Sequence, residues 1–313
     1  MNGVLIIDKP AGLTSHDVVN RARRILQERS VGHLGTLDPM ATGVLPLVTG
    51  TLTRIAQFYT SSEKIYEGTI RFGFATDTYD AEGEPTCAVQ EVTLDNQKVE
   101  EAAASFRGII EQMPPPFSAK KIHGVPAYKL ARKKQEVVLK AVQVEIKEFQ
   151  ILAVELDRVR FRARVGSGTY MRSVAHEMGQ AMGCGAHLES LRRTAVAEFA
   201  LEDAHTLEEL TEAAEANTPS GIDEYFVHPR KLLPQFPSVT ADEESAGRIR
   251  NGRPVNLPEL SKARLVKVFA GQKELIAIAT RVAGSLFHAK LVFPADEGVR
   301  GTVGAGVNGN VHL

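Results

Sequence analysis

The sequence predicts an α/β (α+β) fold arranged in two units. Three observations lead to this prediction. Apolar stretches with strand and helix periodicity alternate along the larger part of the chain. Two alternating segments, 137–156 and 158–165, flank a short turn and indicate an antiparallel hairpin. After Phe226, short apolar strands separated by proline and glycine are typical of a small β-barrel. A chain of 313 residues is long enough for both units.

The elements of the first unit follow from periodicity and capping signals. Ser15 is the predicted N-cap of a helix with apolar residues at Val18, Val19 and Ala22, and Asp95 is the predicted N-cap of a helix ending at Phe106. Helices are also predicted over 52–59, 169–182 and 206–216. Strands are predicted over 3–8, 44–48, 64–74 and 187–199.

Composition places the chain among soluble globular proteins, since 43% of its residues are hydrophobic and 24% are charged. No apolar run approaches the roughly twenty residues of a membrane span, and the first residues do not resemble a secretory signal. Cys87 and Cys184 have no second ligand at metal-binding spacing. We therefore expect a cytoplasmic protein without a membrane partner, a zinc site or a disulfide.

A net charge of −1 conceals a strong asymmetry. From Arg107 to Arg172 there are fourteen Lys and Arg residues against six Asp and Glu, whereas 201–224 holds eight acids and no Lys or Arg. Within the basic part, the stretch 114–140 begins with three prolines and then combines aromatic and basic side chains. Prolines in succession do not fit inside a helix or a central strand. This stretch is predicted to be an inserted arm, and the charge pattern is compatible with a polyanionic partner.

The segment from Gly32 to Leu47 has the highest density of residues with special backbone properties. Asp38 precedes Pro39, which disfavours helical geometry at Asp38 and predicts a carboxylate projecting from a rigid loop. His33 lies five residues upstream. The segment closely resembles the motif G-H-x-G-x-L-D-P-x-A-x-G-x-L of the bacterial tRNA pseudouridine synthases that modify the T-loop uridine at tRNA position 55. The resemblance places the catalytic aspartate of that family at Asp38 and its loop histidine at His33.

Further motifs of the same family occur in the required order. The K-x-Y motif at 64–66 places the active-site tyrosine at Tyr66, and S-G-T-Y-M-R at 167–172 places the active-site arginine at Arg172. G-A-H-L-E-S-L-R-R-T at 185–194 places the base-packing leucine at Leu191. P-P-P-F-S-A-K-K at 114–121 resembles the start of the RNA-gripping arm. Two departures are Gly166-Ser167 before Gly168, where the family often has Ser-Lys, and Ala197 at a position usually occupied by glycine.

The resemblance implies a mixed, largely antiparallel pseudouridine-synthase sheet with flanking helices. It predicts a catalytic domain over 1–228 with the arm inserted at about 114–140, a PUA-like RNA-binding domain over 229–295 and a flexible tail over 296–313. The reaction would need neither a metal nor a cofactor. Asp38 would act at the sugar or the base, Arg172 would hold that carboxylate in place, and Tyr66 would stack on the flipped uracil or assist proton transfer. His33 would stack in the space that the flipped base leaves. Further substrate-binding residues implied by the resemblance are Leu191, Tyr170, Lys9, Lys120, Lys121, Arg132, Lys133 and Lys134.

The expected partner is tRNA, contacted at the T stem-loop by the catalytic domain and at the acceptor stem by the C-terminal domain. A monomer that needs no guide RNA is expected. Three other functions remain open at this point: a non-catalytic RNA-binding or tRNA-folding protein on the same scaffold, a guide-dependent synthase within a ribonucleoprotein, and a nucleoside hydrolase. A glycosidase would require two carboxylates at a defined separation, and the sequence offers no convincing partner acid for Asp38.

Overall fold

The computed structural model describes residues 1–118, 139–216 and 221–294, together with the backbone of residues 121–122 and 125–126. The chain divides into two compact units, Gly3–Pro234 and a second formed by Met1–Asn2 with Gln235–Leu313. Leu232 and Leu233 are fully buried within the first of these units, so the division follows Pro234.

The first unit is built on a nine-stranded sheet. Its strands are β1 (Gly3–Lys9), β2 (Val31–His33), β3 (Thr42–Thr49), β4 (Lys64–Phe72), β5 (Gly108–Gln112), β8 (Val142–Glu155), β9 (Arg158–Val165), β10 (Ala186–Val196) and β11 (Phe199–Ala200), while β6 (Lys121–Ile122) and β7 (Val125–Pro126) form a separate two-stranded ladder. The main order is β1-β3-β10-β4-β9-β8-β5, with β2 pairing β3 and β11 pairing β10. β10 runs parallel to β3, and the other neighbours in this sheet are antiparallel. The mixed, largely antiparallel sheet that the sequence predicted is confirmed.

Helices flank this sheet because each has one apolar face to bury. They are α1 (Ser15–Ile25), α2 (Asn96–Ser105), α3 (Met171–Ala181) and α4 (Leu207–Glu215), with 3₁₀ turns at Gly50–Phe58, Leu201–Asp203, Ile222–Tyr225 and Pro229–Lys231. The core between sheet and helices contains Phe72, Phe149, Phe161 and Met178, all fully buried or nearly so. The predicted cap of α2 at Asp95 is confirmed, since its carboxylate accepts the Lys98 N–H at 3.0 Å.

The predicted cap of α1 at Ser15 is wrong. Thr14 is the N-cap: its hydroxyl accepts the Asp17 N–H, and the Asp17 carboxylate accepts the Thr14 N–H in return. This reciprocal pair is a capping box. Ser15 is the first residue of the helix and is buried, and its hydroxyl bonds to the backbone of Leu37 instead. A buried tertiary partner therefore replaces the local role that the sequence predicted for Ser15.

The C-terminal unit is a five-stranded sheet packed against one helix in its described part. Its elements are β12 (Ser238–Ala241), α5 (Glu243–Arg250), β13 (Val255–Asn256), β14 (Leu265–Ala270), β15 (Glu274–Ala283) and β16 (Leu286–Val292). The strand order is β12-β14-β15-β16-β13, with β12 parallel to β14. Val266, Val268, Ile276 and Phe287 form its buried core. This arrangement is consistent with the small PUA-like barrel predicted from the sequence. The predicted tail, from residue 296 onward, lies outside the described residues.

Candidate active site

Asp38 lies in the loop between β2 and β3, and backbone contacts hold this loop on both sides of the carboxylate. Ahead of it, the Ser15 hydroxyl accepts the Leu37 N–H at 2.8 Å and donates to the Leu37 carbonyl at 3.1 Å. Behind it, the Pro39 carbonyl accepts the Gly12 N–H at 2.9 Å. About a third of the Asp38 side chain is exposed, at 33%. The loop therefore presents one carboxylate to solvent from a fixed backbone.

Gly43 explains how this loop returns to the sheet. Its φ is +99°, which L-residues with a side chain rarely adopt. A Cβ at this position would lie 2.2 Å from the carbonyl oxygen of Arg193 on the parallel neighbour β10. Glycine is thus required where the motif loop joins the sheet, as the sequence motif indicated.

Arg172 is the direct partner of Asp38. Its Nε lies 2.9 Å from Oδ2 of Asp38, and its Nη2 donates a hydrogen bond of 3.1 Å to Oδ1. The Arg172 side chain is only 5% exposed. It is also held by the Thr78 carbonyl at 3.2 Å and the Phe117 carbonyl at 3.0 Å. A charge this well buried and bonded in several directions has little freedom to turn away from the carboxylate.

Asp80 is a second acid at the site that the sequence analysis missed. Its Oδ2 lies 3.5 Å from Nη1 of Arg172, and its side chain is as buried as the arginine. The Thr78 hydroxyl donates to Asp80 Oδ1 at 2.6 Å, and the Glu82 N–H donates to the same oxygen at 3.1 Å. Two carboxylates thus contact the same guanidinium: the buried Asp80 and the partly exposed Asp38.

These residues line a cleft of about 220 Å³. Tyr66 from β4 and Leu191 from β10 form part of its walls, and Tyr170 at the start of α3 forms another part. An amide clamp positions Tyr170: the Gln112 side chain accepts its N–H at 2.8 Å and donates to its carbonyl at 3.1 Å. Burial raises the pKa of the Tyr170 hydroxyl, so this group is a neutral donor at pH 7. The cleft combines apolar and aromatic walls with one carboxylate, which suits a single flat base.

The structure places the residues predicted from the motifs in different surroundings. Asp38, Tyr66, Tyr170, Arg172 and Leu191 share the cleft. His33 lines a neighbouring cavity, where its Nδ1 accepts the Gly35 N–H at 3.3 Å and burial lowers the pKa of its ring. Lys120, Arg132, Lys133 and Lys134 lie outside the described residues, and Lys121 is described in its backbone alone.

Lys9 requires a correction to its predicted role. The side chain is fully buried, and its ammonium donates to the carbonyls of Pro10 at 2.8 Å, Leu13 at 2.7 Å and Pro39 at 3.1 Å. No donor remains for RNA, because an ammonium has three N–H groups. Lys9 ties β1 to the residue after Asp38 and therefore positions the loop rather than the substrate.

Two family models match the chain. Residues 23–171 match the TruB family pseudouridylate synthase N-terminal domain, and residues 172–232 match the tRNA pseudouridylate synthase B C-terminal domain. The chain is 52% identical over 298 residues to tRNA pseudouridine synthase B of Solibacter usitatus, covering 93% of this chain and 100% of the relative. The chain belongs to the TruB family. The motif resemblance is thereby confirmed.

Other TruB family members and solved structures agree with this assignment. tRNA pseudouridine synthase B of Geobacter sulfurreducens is 42% identical over 254 residues, covering 81% of this chain and 83% of that protein. A solved Cbf5-Nop10-Gar1 complex contains a chain with the same fold, at a TM-score of 0.68 and 25% identity, covering 93% of this chain and 84% of that chain. A chain of an H/ACA RNP bound to a substrate RNA containing 2′-deoxyuridine has the same fold at a TM-score of 0.70 and 23% identity, over 94% of this chain and 86% of that one.

Within the described residues, no three His, Cys, Asp or Glu side chains are grouped so that they could hold a metal ion. No helix in the described part of the chain is both long and apolar enough to cross a membrane. The acids that do meet, Asp38 and Asp80, share the guanidinium of Arg172 instead.

Proposed function

We propose that this chain converts uridine to pseudouridine at position 55 in the T loop of tRNA. The observation that carries the proposal is the Asp38 carboxylate, held by a buried Arg172 and partly exposed in a cleft walled by Tyr66 and Leu191. The relatives at 40–52% identity are named tRNA pseudouridine synthase B, which supports tRNA as the substrate.

The reaction is an isomerisation, so atoms and electrons balance within one nucleotide. The N1–C1′ bond breaks, the base turns, a C5–C1′ bond forms, and the proton on C5 is lost while N1 gains one. A carboxylate beside the sugar can act as a nucleophile at C1′, add to C6 of the base, or assist elimination to a glycal. All three routes need an ionised carboxylate at a fixed position, which the Arg172 contact favours.

Base flipping is needed because the reacting atoms of a stacked nucleotide are out of reach. Tyr66 offers an aromatic face and Leu191 an apolar one, so the flipped uracil would pack between them. The Tyr66 hydroxyl is the candidate for accepting the C5 proton. Arg172 contacts Asp38, Asp80 and two carbonyls, and its role is to hold the Asp38 carboxylate and to balance its charge.

The wider tRNA contacts complete the proposal. The catalytic domain, residues 1–228, would bind the T stem-loop with the basic arm at about 114–140. The PUA-like domain, residues 229–295, would contact the acceptor stem. Phosphate contacts by the arm would make affinity fall steeply with salt. We propose that the enzyme works as a cytoplasmic monomer without a guide RNA.

Tritium release tests the function directly. Unmodified tRNA carrying 5-³H-uridine should lose tritium with the wild-type protein. It should not lose it with Asp38→Asn, or when the T-loop uridine is replaced by cytidine. Asp203→Asn, which changes an exposed acid outside the cleft, is the matched control and should release tritium normally. Tight tRNA binding without any release would instead support the non-catalytic RNA-binding function.

A further inference from the structure

A second cavity of about 370 Å³ adjoins the catalytic cleft. The two share Thr36, Tyr66, Thr169 and Tyr170 as common walls. Asp38 and Arg172 line only the cleft, whereas Lys64 lines only the second cavity. Lys64 and Tyr66 are two residues apart on β4, so their side chains leave the same face of the strand about 7 Å apart. A molecule that reaches Lys64 is therefore next to one that packs on Tyr66.

The charged side chains that line this cavity are all positive. Its lining includes Lys64, Arg193 and His33 but no aspartate or glutamate. Arg193 is fully buried, and its guanidinium donates to the carbonyls of Val44 at 2.8 Å, Gly35 at 3.0 Å and Thr36 at 3.2 Å. In the described part of the chain no carboxylate pairs with it. A buried cation of this kind is bonded but not neutralised.

Lys64 adds a second positive charge at the same place. A Cβ placed on Gly35 would lie 3.5 Å from Nη1 of Arg193 and 3.9 Å from Cε of Lys64, so the two cationic side chains converge on one point. The Lys64 ammonium donates to the Ser62 carbonyl at 2.6 Å, and its other two N–H groups have no partner among the described residues. An anion would supply the negative charge that balances these two cations, and it would accept hydrogen bonds from the two N–H groups of Lys64.

The backbone in the lining of the same cavity adds uncharged donors. Gly168 is exposed with a φ of +88°, and the N–H groups of Gly168 and Thr169 make no hydrogen bond within the residues described. Tyr170 separates these residues from Met171, the first residue of α3, whose N-terminal end carries a partial positive charge. The cavity is therefore bordered by a lysine, a buried arginine and free amides a short distance before a helix.

We propose that this cavity is an anion site, in which the Lys64 ammonium binds a phosphodiester of the RNA beside the flipped nucleotide. The inference rests on the proposed function, because it takes RNA to be the molecule whose base occupies the cleft. The shared wall at Tyr66 makes the bound phosphate that of the target nucleotide or of its immediate neighbour. Lys64 is in this way a substrate-positioning residue and has no part in the bond-breaking step.

The site should respond to pH. Burial, with the Arg193 charge as a second cause, lowers the pKa of Lys64 to about 8. The groups that face it are Arg193, His33, Tyr59, Tyr66 and Tyr170. Burial lowers the pKa of His33 and raises those of Tyr59 and Tyr170, so these three stay neutral between pH 7 and 9. Lys64 is charged below its pKa of about 8, so affinity is highest at the lower pH and is lost as pH rises through that value.

Binding to a T stem-loop RNA tests the proposal, with Asp38→Asn in every protein so that no turnover occurs. Lys64→Gln should weaken binding about 10-fold at low salt and reduce the slope of log K against log salt by about one. Lys64→Arg, which keeps the charge, should retain affinity and lose the pH dependence. Lys147→Gln removes a lysine ion-paired with Glu63 and is the matched control, with less than a twofold effect. Melting temperatures establish that Lys64→Gln is folded.

RNA with single methylphosphonate linkages locates the anion. At one linkage flanking the target nucleotide, neutralising the phosphate should weaken RNA binding by the protein that retains Lys64. With that RNA, Lys64→Gln should cause no additional loss of affinity. If Lys64→Gln has the same effect with every neutralised RNA, or no effect on a folded protein, the site does not bind an RNA phosphodiester. Tritium release by proteins that retain Asp38 measures the proposed activity independently of this anion site.

Discussion

Two buried arginines of the catalytic unit are stabilised in opposite ways. Arg172 is paired with two carboxylates, Asp38 and Asp80, and its charge is balanced where it lies. Arg193 is deeper, yet its guanidinium contacts three carbonyl oxygens and no carboxylate within the described residues. The first arrangement fixes the orientation of an acid. The second fixes a loop and leaves a positive field in the neighbouring cavity.

The comparison shows that burial alone does not define the role of a charged residue. The carbonyls that hold Arg193 belong to Gly35, Thr36 and Val44, so its bonds brace the loop that carries Asp38. Arg172 instead contacts the Asp38 carboxylate itself. Replacing Arg172 should therefore strongly lower the rate of the reaction, whereas replacing Arg193 should mainly lower the stability of the fold.

The largest effect is expected for Arg172→Met. Asp80 would be left buried without its counter-charge and Asp38 would lose its direct partner. We expect kcat for tritium release to fall by about 10³-fold or more. The free energy of unfolding should fall by about 3–5 kcal/mol, measured by urea denaturation. Arg192→Met is the control: Arg192 is 40% exposed and pairs with Asp8, so its loss should cost less than about 1 kcal/mol. Normal turnover by Arg172→Met would contradict the assigned role.

Arg193→Met should affect stability more than chemistry. Three carbonyl groups lose their donor, and we expect the free energy of unfolding to fall by about 3 kcal/mol. Because the loop around Asp38 is also held by Ser15 and Lys9, kcat at saturating RNA should fall only about 10-fold. Urea denaturation and tritium release measure the two effects on the same samples. A loss of kcat larger than that of Arg172→Met would reverse the comparison.

Asp80→Asn probes the support behind Arg172 while keeping the side-chain shape. Arg172 retains the Thr78 and Phe117 carbonyls and Asp38, so we expect a loss of kcat of about 10- to 100-fold, equivalent to about 1.4–2.8 kcal/mol. Asp80 does not line the cleft, and KM for tRNA should stay within about twofold. Asp157→Asn, which alters a partly exposed ion pair with Arg158, should change neither constant. A change confined to KM would place Asp80 in substrate binding instead.

The smallest effect is expected at the end of β10, the strand that carries Arg193. Ala197 has a φ of +50°, where the family usually has glycine. Ala197→Gly should raise the free energy of unfolding by about 0.5–1 kcal/mol, because glycine adopts this conformation without strain. Ala195→Gly, within the strand, should lower it by a similar amount. Turnover should be unchanged in both. Destabilisation by Ala197→Gly would show that no strain is stored at this bend.

Some features of the fold could be predicted locally and others could not. The β8–β9 hairpin and the cap at Asp95 depend on neighbours in the chain, and periodicity and capping signals were sufficient for them. Ser15 was assigned wrongly although the correct cap has a local signal, because Thr14 and Asp17 form a T-x-x-D capping box. Only the bond between the Ser15 hydroxyl and Leu37, a residue of the motif loop, lies beyond what neighbouring residues indicate.

The site shows the same division. Motifs predicted Asp38, Tyr66, Tyr170, Arg172 and Leu191, which share one cleft. Asp80 lies in an acidic stretch of the sequence, which also contains the acids Asp77, Glu82 and Glu84. Nothing local distinguishes the one acid that is buried against an arginine. Lys9 was predicted to bind substrate, yet its three hydrogen bonds go to backbone carbonyls.

By itself, the sequence identified the TruB family, through motifs whose order and spacing also predict one aspartate, one tyrosine and one arginine as the site residues. The tertiary structure decided which charges are neutralised. Arg172 and Arg193 are residues of one type with different partners, and so are Lys9 and Lys64. Asp80 is buried against Arg172, whereas the nearby Glu82 is exposed. Their differences arise from burial and from contacts between residues far apart in the chain. Because the energy of a charge depends on its distance to other charges and to water, that information exists only once the chain has folded.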